Sequence, residues 1–323
     1  MIYKPFNQYS MSIIGHQKIL NFFNQAITNG QLSHAYCFSG PSQVGKRAVA
    51  ESLATQLLKT TKDRLTIHPD YHLVEQARDE KTYKTKKDIT LAQIHRLRAF
   101  ISQSALLGSY RIVIIDEAEK MNIQAANALL KTLEESRGNA CLFLITQNET
   151  ALPITVLSRC QRLFFSSVPT AEIVSYLSSF YEKKQAEMLA KQTRGLPGLA
   201  VRWANSEKEY EKYVAQVKRF TGLLGISFHD RLKNVEDLFV GTDHISIRGE
   251  LYEVLDIWQL LVRDIMYQTM SLPQFQVHDI TSQHSWTSEQ LVQVEKIIWK
   301  AKEYINKNIH PKLLFEEILL ALP

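Results

Sequence analysis

Gly40-Pro41-Ser42-Gln43-Val44-Gly45-Lys46-Arg47 is the stretch that decides the fold. It satisfies G-x-x-x-x-G-K and then places Arg where that motif carries Ser or Thr. Gly40 and Gly45 let backbone N–H groups curl around a phosphate, and Lys46 reaches toward the outer phosphates. The hydroxyl missing at Arg47 is the one that holds Mg²⁺ during phosphoryl transfer. The same few residues therefore announce a nucleotide-type fold and argue against nucleotide hydrolysis.

The flanks supply the strand–loop–helix context that the motif requires. Ala35-Tyr36-Cys37-Phe38 is a short apolar strand running into the loop, and residues 47–59 read as a helix whose N-terminus adds its dipole to the anion cradle. Upstream, 16–27 reads as a helix with Ile19, Phe23 and Ala26 on one stripe and Gly30 just past its end. Downstream, Tyr71-His72-Leu73-Val74-Glu75 is a second strand, 91–106 reads as helical, and Arg111-Ile112-Val113-Ile114-Ile115 is a buried strand closing on Asp116 and Glu117. In a phosphate-loop protein Asp116 would hold Mg²⁺ through water and Glu117 would orient the attacking water.

Asn122 is placed to cap the next helix, whose stripe reads Ile123, Ala126, Leu130 and Leu133. Residues 141–146 form another apolar strand, with Thr146 at its tip where a γ-phosphate would sit, and Leu163-Phe164-Phe165 is the last strand. Strands alternating with helices predict an open parallel α/β sheet with its site at the strand C-termini. After Val168-Pro169-Thr170 helices take over. Two of them, 170–180 and 182–192, run up to Gly195-Leu196-Pro197-Gly198. From about Ser206 only helices and turns are legible, with stripes at Val254, Trp258, Leu261 and Ile265 and at Leu291, Val294, Ile298, Ala301 and Ile305.

A chain of 323 residues with 45% hydrophobic and 22% charged residues is an ordinary globular composition with room for two or three cores. The polar start Met1-Ile2-Tyr3-Lys4-Pro5 is expected not to be a signal peptide, and no apolar run is long enough to span a bilayer. Cys37, Cys141 and Cys160 lack metal or redox spacing, which leads us to expect reduced thiols in a cytoplasmic protein. The net charge of +5 is compatible with nucleic acid nearby and does not by itself establish it.

His34-Ala35-Tyr36, the block from Ala125 to Glu135 (AANALLKTLEE), Ser158-Arg159-Cys160 and the closing Asn308-Ile309-His310-Pro311-Lys312-Leu313-Leu314-Phe315-Glu316 together resemble the bacterial clamp-loader AAA+ family over essentially the whole chain. The resemblance implies a P-loop AAA+ base domain at 1–166, a small three-helix lid at 167–205 and an all-helical collar at 206–323 that holds a five-subunit ring. It implies gamma/tau and delta loader subunits as partners, the sliding clamp, and primed DNA reached through the complex, with no membrane. It implies a cytoplasmic, nucleoid-associated place in the replisome.

By that resemblance Arg159 would act in trans on a neighbour's nucleotide. Gly40, Gly45, Lys46, Arg47, Asp116, Glu117 and Thr146 would form a degenerate nucleotide site that binds ATP or ADP weakly without hydrolysis. Gly198 falls where active relatives carry a nucleotide-sensing Arg. Residues 47–111 hold no cysteine, which excludes the zinc module found in part of the family. Lys81, Lys84, Lys86, Lys87, Arg96 and Arg98 are candidates for DNA phosphate contacts, with a solvated face as the plainer reading of the lysine run. Arg159 has a plainer reading too, as the partner of a neighbouring carboxylate.

Three function classes stay open on these residues. One is a non-hydrolysing stator that donates an arginine. A second is an active loader ATPase, which ATP turnover by the isolated chain would reveal. The third is a DNA-binding AAA+ adaptor outside the replisome, which co-purification with clamp and polymerase would exclude.

Overall fold

The computed structural model describes residues 13–78, 85–135, 139–239, 244–278, 280, 286–305 and 309–322. The chain divides into two units, Met1–Ala204 and Asn205–Pro323.

In the first unit α1 (Gln17–Thr28) starts after Gly15 and His16, both at positive φ, 81° and 59°. It ends on Gly30 at φ 65°, where Gly30 N–H bonds Ile27 O and Gln31 N–H bonds Ala26 O, the paired closure that a left-handed residue permits. There follow β1 (Ala35–Ser39), α2 (Lys46–Leu58), the single turn α3 (Lys62–Leu65), β2 (Tyr71–Val74), α4 (Leu91–Ile101), β3 (Arg111–Ile115), α5 (Ile123–Glu135), β4 (Ala140–Thr146), the short α6 (Ile154–Leu157) and β5 (Gln161–Phe164). The strands form one parallel sheet in the order β2-β3-β4-β1-β5. β1, β3 and β4 are buried along their whole length, as strands covered on both faces must be.

One face packs under α1 and α2, where Phe23 meets Tyr36 at 4.8 Å and Phe38 at 5.9 Å between ring centroids. The other packs under α4 and α5 through Ile94, Leu97, Ala125, Leu129 and Leu133. Each such side chain contributes on the order of 1.5–3 kcal/mol by leaving water.

The sequence reading needs correction at three places here. The helix expected over 91–106 stops at Ile101. Asp70, fully buried, takes the N–H groups of Leu106, Leu107 and Gly108 at 2.7, 2.8 and 3.0 Å and fixes that stretch as a loop. The stripe on α5 holds at Ala126 and Leu133, both 3% exposed, and at Leu130, which packs against the same core, but not at Ile123, which is 80% exposed; Ala125 and Leu129 complete the buried face. The residue pattern alone traced two helices, α7 (Thr170–Leu177) and α8 (Lys183–Thr193), where the family resemblance implies three. Gly195-Leu196-Pro197-Gly198, read as a terminus, leads into α9 (Pro197–Asn205), where Pro197 occupies the first helical position and its lacking N–H costs nothing. Asn122 does cap α5, its Oδ1 accepting from Ala125 N–H at 2.8 Å.

The second unit is helical throughout its described residues: α10 (Glu207–Leu223), α11 (Phe228–Val235), α12 (His244–Thr269), α13 (Ser288–Tyr304) and α14 (Pro311–Ala321). Trp258 is fully buried against Phe220 and Phe315, at 5.6 and 5.3 Å. Both expected stripes, on α12 and α13, lie in this core. Arg231, buried, donates to Leu223 O, Leu319 O and Leu322 O at 3.0, 2.9 and 2.7 Å and so ties the C-terminal helix to α11. Among the described residues no helix is long and apolar enough to cross a membrane.

Candidate functional site

The loop from Gly40 to Gly45 joins β1 to α2 at the C-terminal edge of the sheet. Gly40, Gln43 and Gly45 take φ of 143°, 59° and 106°. A Cβ on Gly40 would lie 2.2 Å from Phe165 O, so only glycine allows the chain to turn there. The neighbouring strand tips arrive as the sequence predicts. Thr146, buried, stands opposite Ser39 in the β1–β4 register, and Asp116 follows directly on β3. Gly40, Gly45, Lys46, Arg47, Asp116, Glu117 and Thr146 therefore gather at one edge.

What they do there differs from a nucleotide enzyme. Lys46 is 5% exposed, and its ammonium donates to Gly40 O and Pro41 O at 2.6 Å each, within its own loop. Burial pulls its pKa down to about 8, opposed by the Glu119 and Asp116 charges, so it remains largely charged at neutral pH. Arg47 turns away from the loop. Its Nε meets Glu51 at 2.9 Å, and its Nη1 meets Asp116 at 2.9 Å and Glu75 at 3.1 Å. Burial opposes this charge, but the Glu51 hydrogen bond and the Asp116 carboxylate outweigh it and push the guanidinium pKa further up. Glu117 has φ 49°, and burial raises its carboxyl above the usual range, helped by Asp116 and Glu119.

Phosphate-loop folds bring Mg²⁺ to the point between the position-47 hydroxyl and the strand-end Asp. Here that point is spanned by a guanidinium whose Nη1 is already on Asp116, and the residues do not fit the metal.

The start of α9 closes on the same loop. Gly198 N–H bonds Gln43 O at 2.7 Å, and a Cβ on Gly198 would stand 2.7 Å from that oxygen and 2.9 Å from Gln43 Cβ. Neither a sensing arginine nor any other side chain has room at this point. His16, which the sequence reading passed over, donates Nε2–H to Val44 O at 2.8 Å and rests its ring on Phe165 at 4.8 Å. Burial lowers its pKa. No residue spacing announces His16. Glu51, by contrast, stands four residues after Arg47 on α2, a pairing legible in the sequence.

Arg159 lies elsewhere. It follows α6 and precedes β5, whose Gln161 pairs with Tyr36, four residues before Gly40. At about 3.3 Å per residue that places it ~13 Å or more from its own phosphate loop, at the N-terminal end of the sheet. Its Nη2 meets Glu134 Oε1 at 2.6 Å and its Nη1 donates to Thr155 O at 2.9 Å, with 36% of the side chain exposed. The plainer reading, partner of a neighbouring carboxylate, describes this state of the subunit.

Of the basic candidates, Lys81 and Lys84 lie outside the described residues, and Lys86 and Lys87 are exposed. Arg96 and Arg98 are both exposed on α4, yet two residues apart on a helix they face different ways. Arg98 joins His95, Asn127 and Lys131 around a cleft of ≈ 270 Å³ between α4 and α5, and Arg96 does not line it. The sequence reading missed Lys131, which sits inside the block that carries the family resemblance.

Comparison with known proteins places this geometry. A family described as DNA polymerase III, delta subunit, matches residues 15–169. The DNA polymerase III subunit delta' of Pseudomonas aeruginosa is 35% identical over 173 residues, covering 49% of the chain and 51% of that protein, about half its length. The subunit delta' of Bacillus subtilis is 26% identical over 329 residues, covering 94% and 95%. The subunit tau of Bacillus subtilis is 26% identical over 54% of the chain and 32% of that protein. Among solved structures, a DNA polymerase III gamma subunit-related protein of Thermotoga maritima superposes with a TM-score of 0.54 at 18% identity, covering 93% of this chain and 97% of that one. At that identity it supports the fold alone: a parallel α/β sheet followed by helices.

Proposed function

From a chain that belongs to the bacterial DNA polymerase III clamp-loader family, we propose a delta'-type stator, a subunit that lends chemistry to a neighbour and performs none at its own phosphate loop. It would work in the bacterial cytoplasm with tau/gamma and delta subunits to place a sliding clamp on primed DNA.

The observation that carries the reading is the pairing of a metal position filled by Arg47 with an exposed Arg159 at the far end of the sheet. The first removes the Lewis acid that phosphoryl transfer needs. The second leaves a partly exposed guanidinium out of reach of its own loop, as an arginine acting on a neighbour's nucleotide would have to be. Arginine suits the task because its planar fork stays charged and grips phosphate oxygens across an interface. ATP or ADP held at the degenerate loop would be held weakly and without turnover. The cleft formed by His95, Arg98, Asn127 and Lys131 would follow the DNA backbone, since cations without base-reading geometry suit a subunit indifferent to sequence.

The test is steady-state ATP turnover of the complex reconstituted with Arg159→Ala. Turnover stimulated by DNA and clamp should drop. An arginine finger elsewhere is worth about 10³–10⁵ in rate, part of which the other sites in a ring would mask. Unchanged turnover and clamp loading would make Arg159 structural.

A further inference from the structure

Arg47 raises a question that the stator reading leaves open: why a site without hydrolysis keeps its carboxylates. Asp116 ends β3, Glu75 follows β2, and Glu51 stands on α2, so three negative groups converge from three elements. Side chains of Glu51 and Asp116 are only 16% and 20% exposed. The other charged groups around them are Lys62, 3.2 Å from Glu51, the loop-bound Lys46, and the further carboxylates Glu117 and Glu119. In a phosphate-loop enzyme this negative corner is neutralised by an ion that arrives and leaves with nucleotide. Here one guanidinium reaches all three carboxylates at once, through Nε to Glu51 and through Nη1 to both Glu75 and Asp116.

We propose that Arg47 is a resident cation in the place of magnesium: a positioning residue that pairs permanently with Glu51, Glu75 and Asp116 and keeps the joint of α2, β2 and β3 in one geometry whether or not nucleotide and metal are present. The Lys46 bonds to Gly40 O and Pro41 O and the Gly198 bond to Gln43 O hold the rest of the loop in the same self-sufficient way. The carboxylates survive because they are partners of Arg47, not because they are remnants of metal binding. The inference rests on this corner alone and stands apart from the role of Arg159, so the failure of either is recognisable by itself.

The experiment follows the thermal midpoint of the full chain, with hydrogen-exchange protection of α2 reporting the joint, in EDTA and in excess MgCl₂ at matched ionic strength, without nucleotide. The parent should melt at one temperature in both. Arg47→Thr, which restores the hydroxyl and removes the charge, should melt about 2–6 °C lower in EDTA and recover at least half of the loss in Mg²⁺. Arg47→Thr combined with Asp116→Asn should lose that Mg²⁺ response. Arg47→Lys keeps a charge without the fork, so it should fall between parent and Arg47→Thr and ignore Mg²⁺. A parent stabilised by Mg²⁺, an Arg47→Thr chain as stable as the parent in EDTA, or a loss that Mg²⁺ leaves uncorrected would each overturn the proposal.

Discussion

Arg159 and Glu134 hold one another at 2.6 Å, and Glu134 belongs to α5 while Arg159 follows α6. If Arg159 acts on a neighbour's phosphate as proposed, the guanidinium has to leave Glu134, and the carboxylate would be its resting partner. Both side chains are substantially exposed, 36% and 53%, and the pair contributes about 0.2–1 kcal/mol to folding after solvent screening. Glu134→Gln should therefore leave the thermal midpoint within a degree or two of the parent. It should leave DNA-stimulated turnover of the reconstituted complex equal or raised, because the arm is released rather than removed. Arg159→Lys should fail like Arg159→Ala, since a point charge does not reproduce the fork. A fall in turnover with Glu134→Gln as deep as with Arg159→Ala would show that the pair works as a fixed unit.

Gly198 carries a second prediction. Placing arginine at Gly198, the position that the family resemblance implies for nucleotide sensing, should not create sensing, because a Cβ there meets Gln43 O at 2.7 Å. Gly198→Ala already forces α9 off the loop, at a cost of about 1–3 kcal/mol, the usual range for overpacking. Gly198→Arg should cost no less and gain no affinity for ATP. The pair of urea midpoints, with ATP titration calorimetry on both variants, decides it. An alanine variant as stable as the parent would mean that the helix end yields freely.

The sheet and its strand ends were legible in the sequence because apolar runs bounded by glycines and carboxylates have one reading when they alternate with helices. The loop was legible for the same reason. What stayed hidden depended on side chains that reach across the fold. The stretch after Ile101 continues the apolar content of α4 through Leu106 and Leu107, and only Asp70, more than thirty residues earlier, takes its N–H groups away from a helix. Arg47 announced a missing hydroxyl by its type, but that it fills the metal position and not the phosphate position is a matter of where Glu51, Glu75 and Asp116 stand. On α5 only the first residue of the expected stripe failed, because Ile123 is apolar yet sits exposed in the first turn.

Asp70 gives a prediction with a definite pH sign. Burial alone would raise its pKa, but the N–H groups of Leu106, Leu107 and Gly108 outweigh burial, with Arg111 assisting, and hold the carboxyl below its ordinary value. A depressed folded pKa means stability that is present above the unfolded value of about 3.9 and is lost as pH falls through the lower folded value. Asp70→Asn should thus cost about 1.5–3 kcal/mol at pH 7, the range for hydrogen bonds to a charged group. The gap between variant and parent should hold steady down to about pH 5 and shrink below about pH 4. Urea unfolding across that range measures it. A gap that stays constant to pH 3 would mean the loss is packing and not charge.

The cleft between α4 and α5 distinguishes two arginines that the sequence reading grouped. Arg98 shares it with Lys131 across the two helices, and Arg96 points elsewhere. If the cleft follows DNA phosphates, each cation that contacts one releases about 0.9 counterion on a duplex. Arg98→Ala with Lys131→Ala should then weaken binding of the assembled complex to primed duplex by the same factor whatever the sequence. The double change should also flatten the plot of log affinity against log salt by about 1–2. Arg96→Ala should leave the slope where it was. Fluorescence anisotropy of labelled primed duplex from 50 to 200 mM salt reads both quantities at once. An Arg96→Ala slope as altered as that of the double variant would move the DNA path off the cleft and onto the outer face of α4. A double variant with the parent's slope would return these residues to a solvated helix surface.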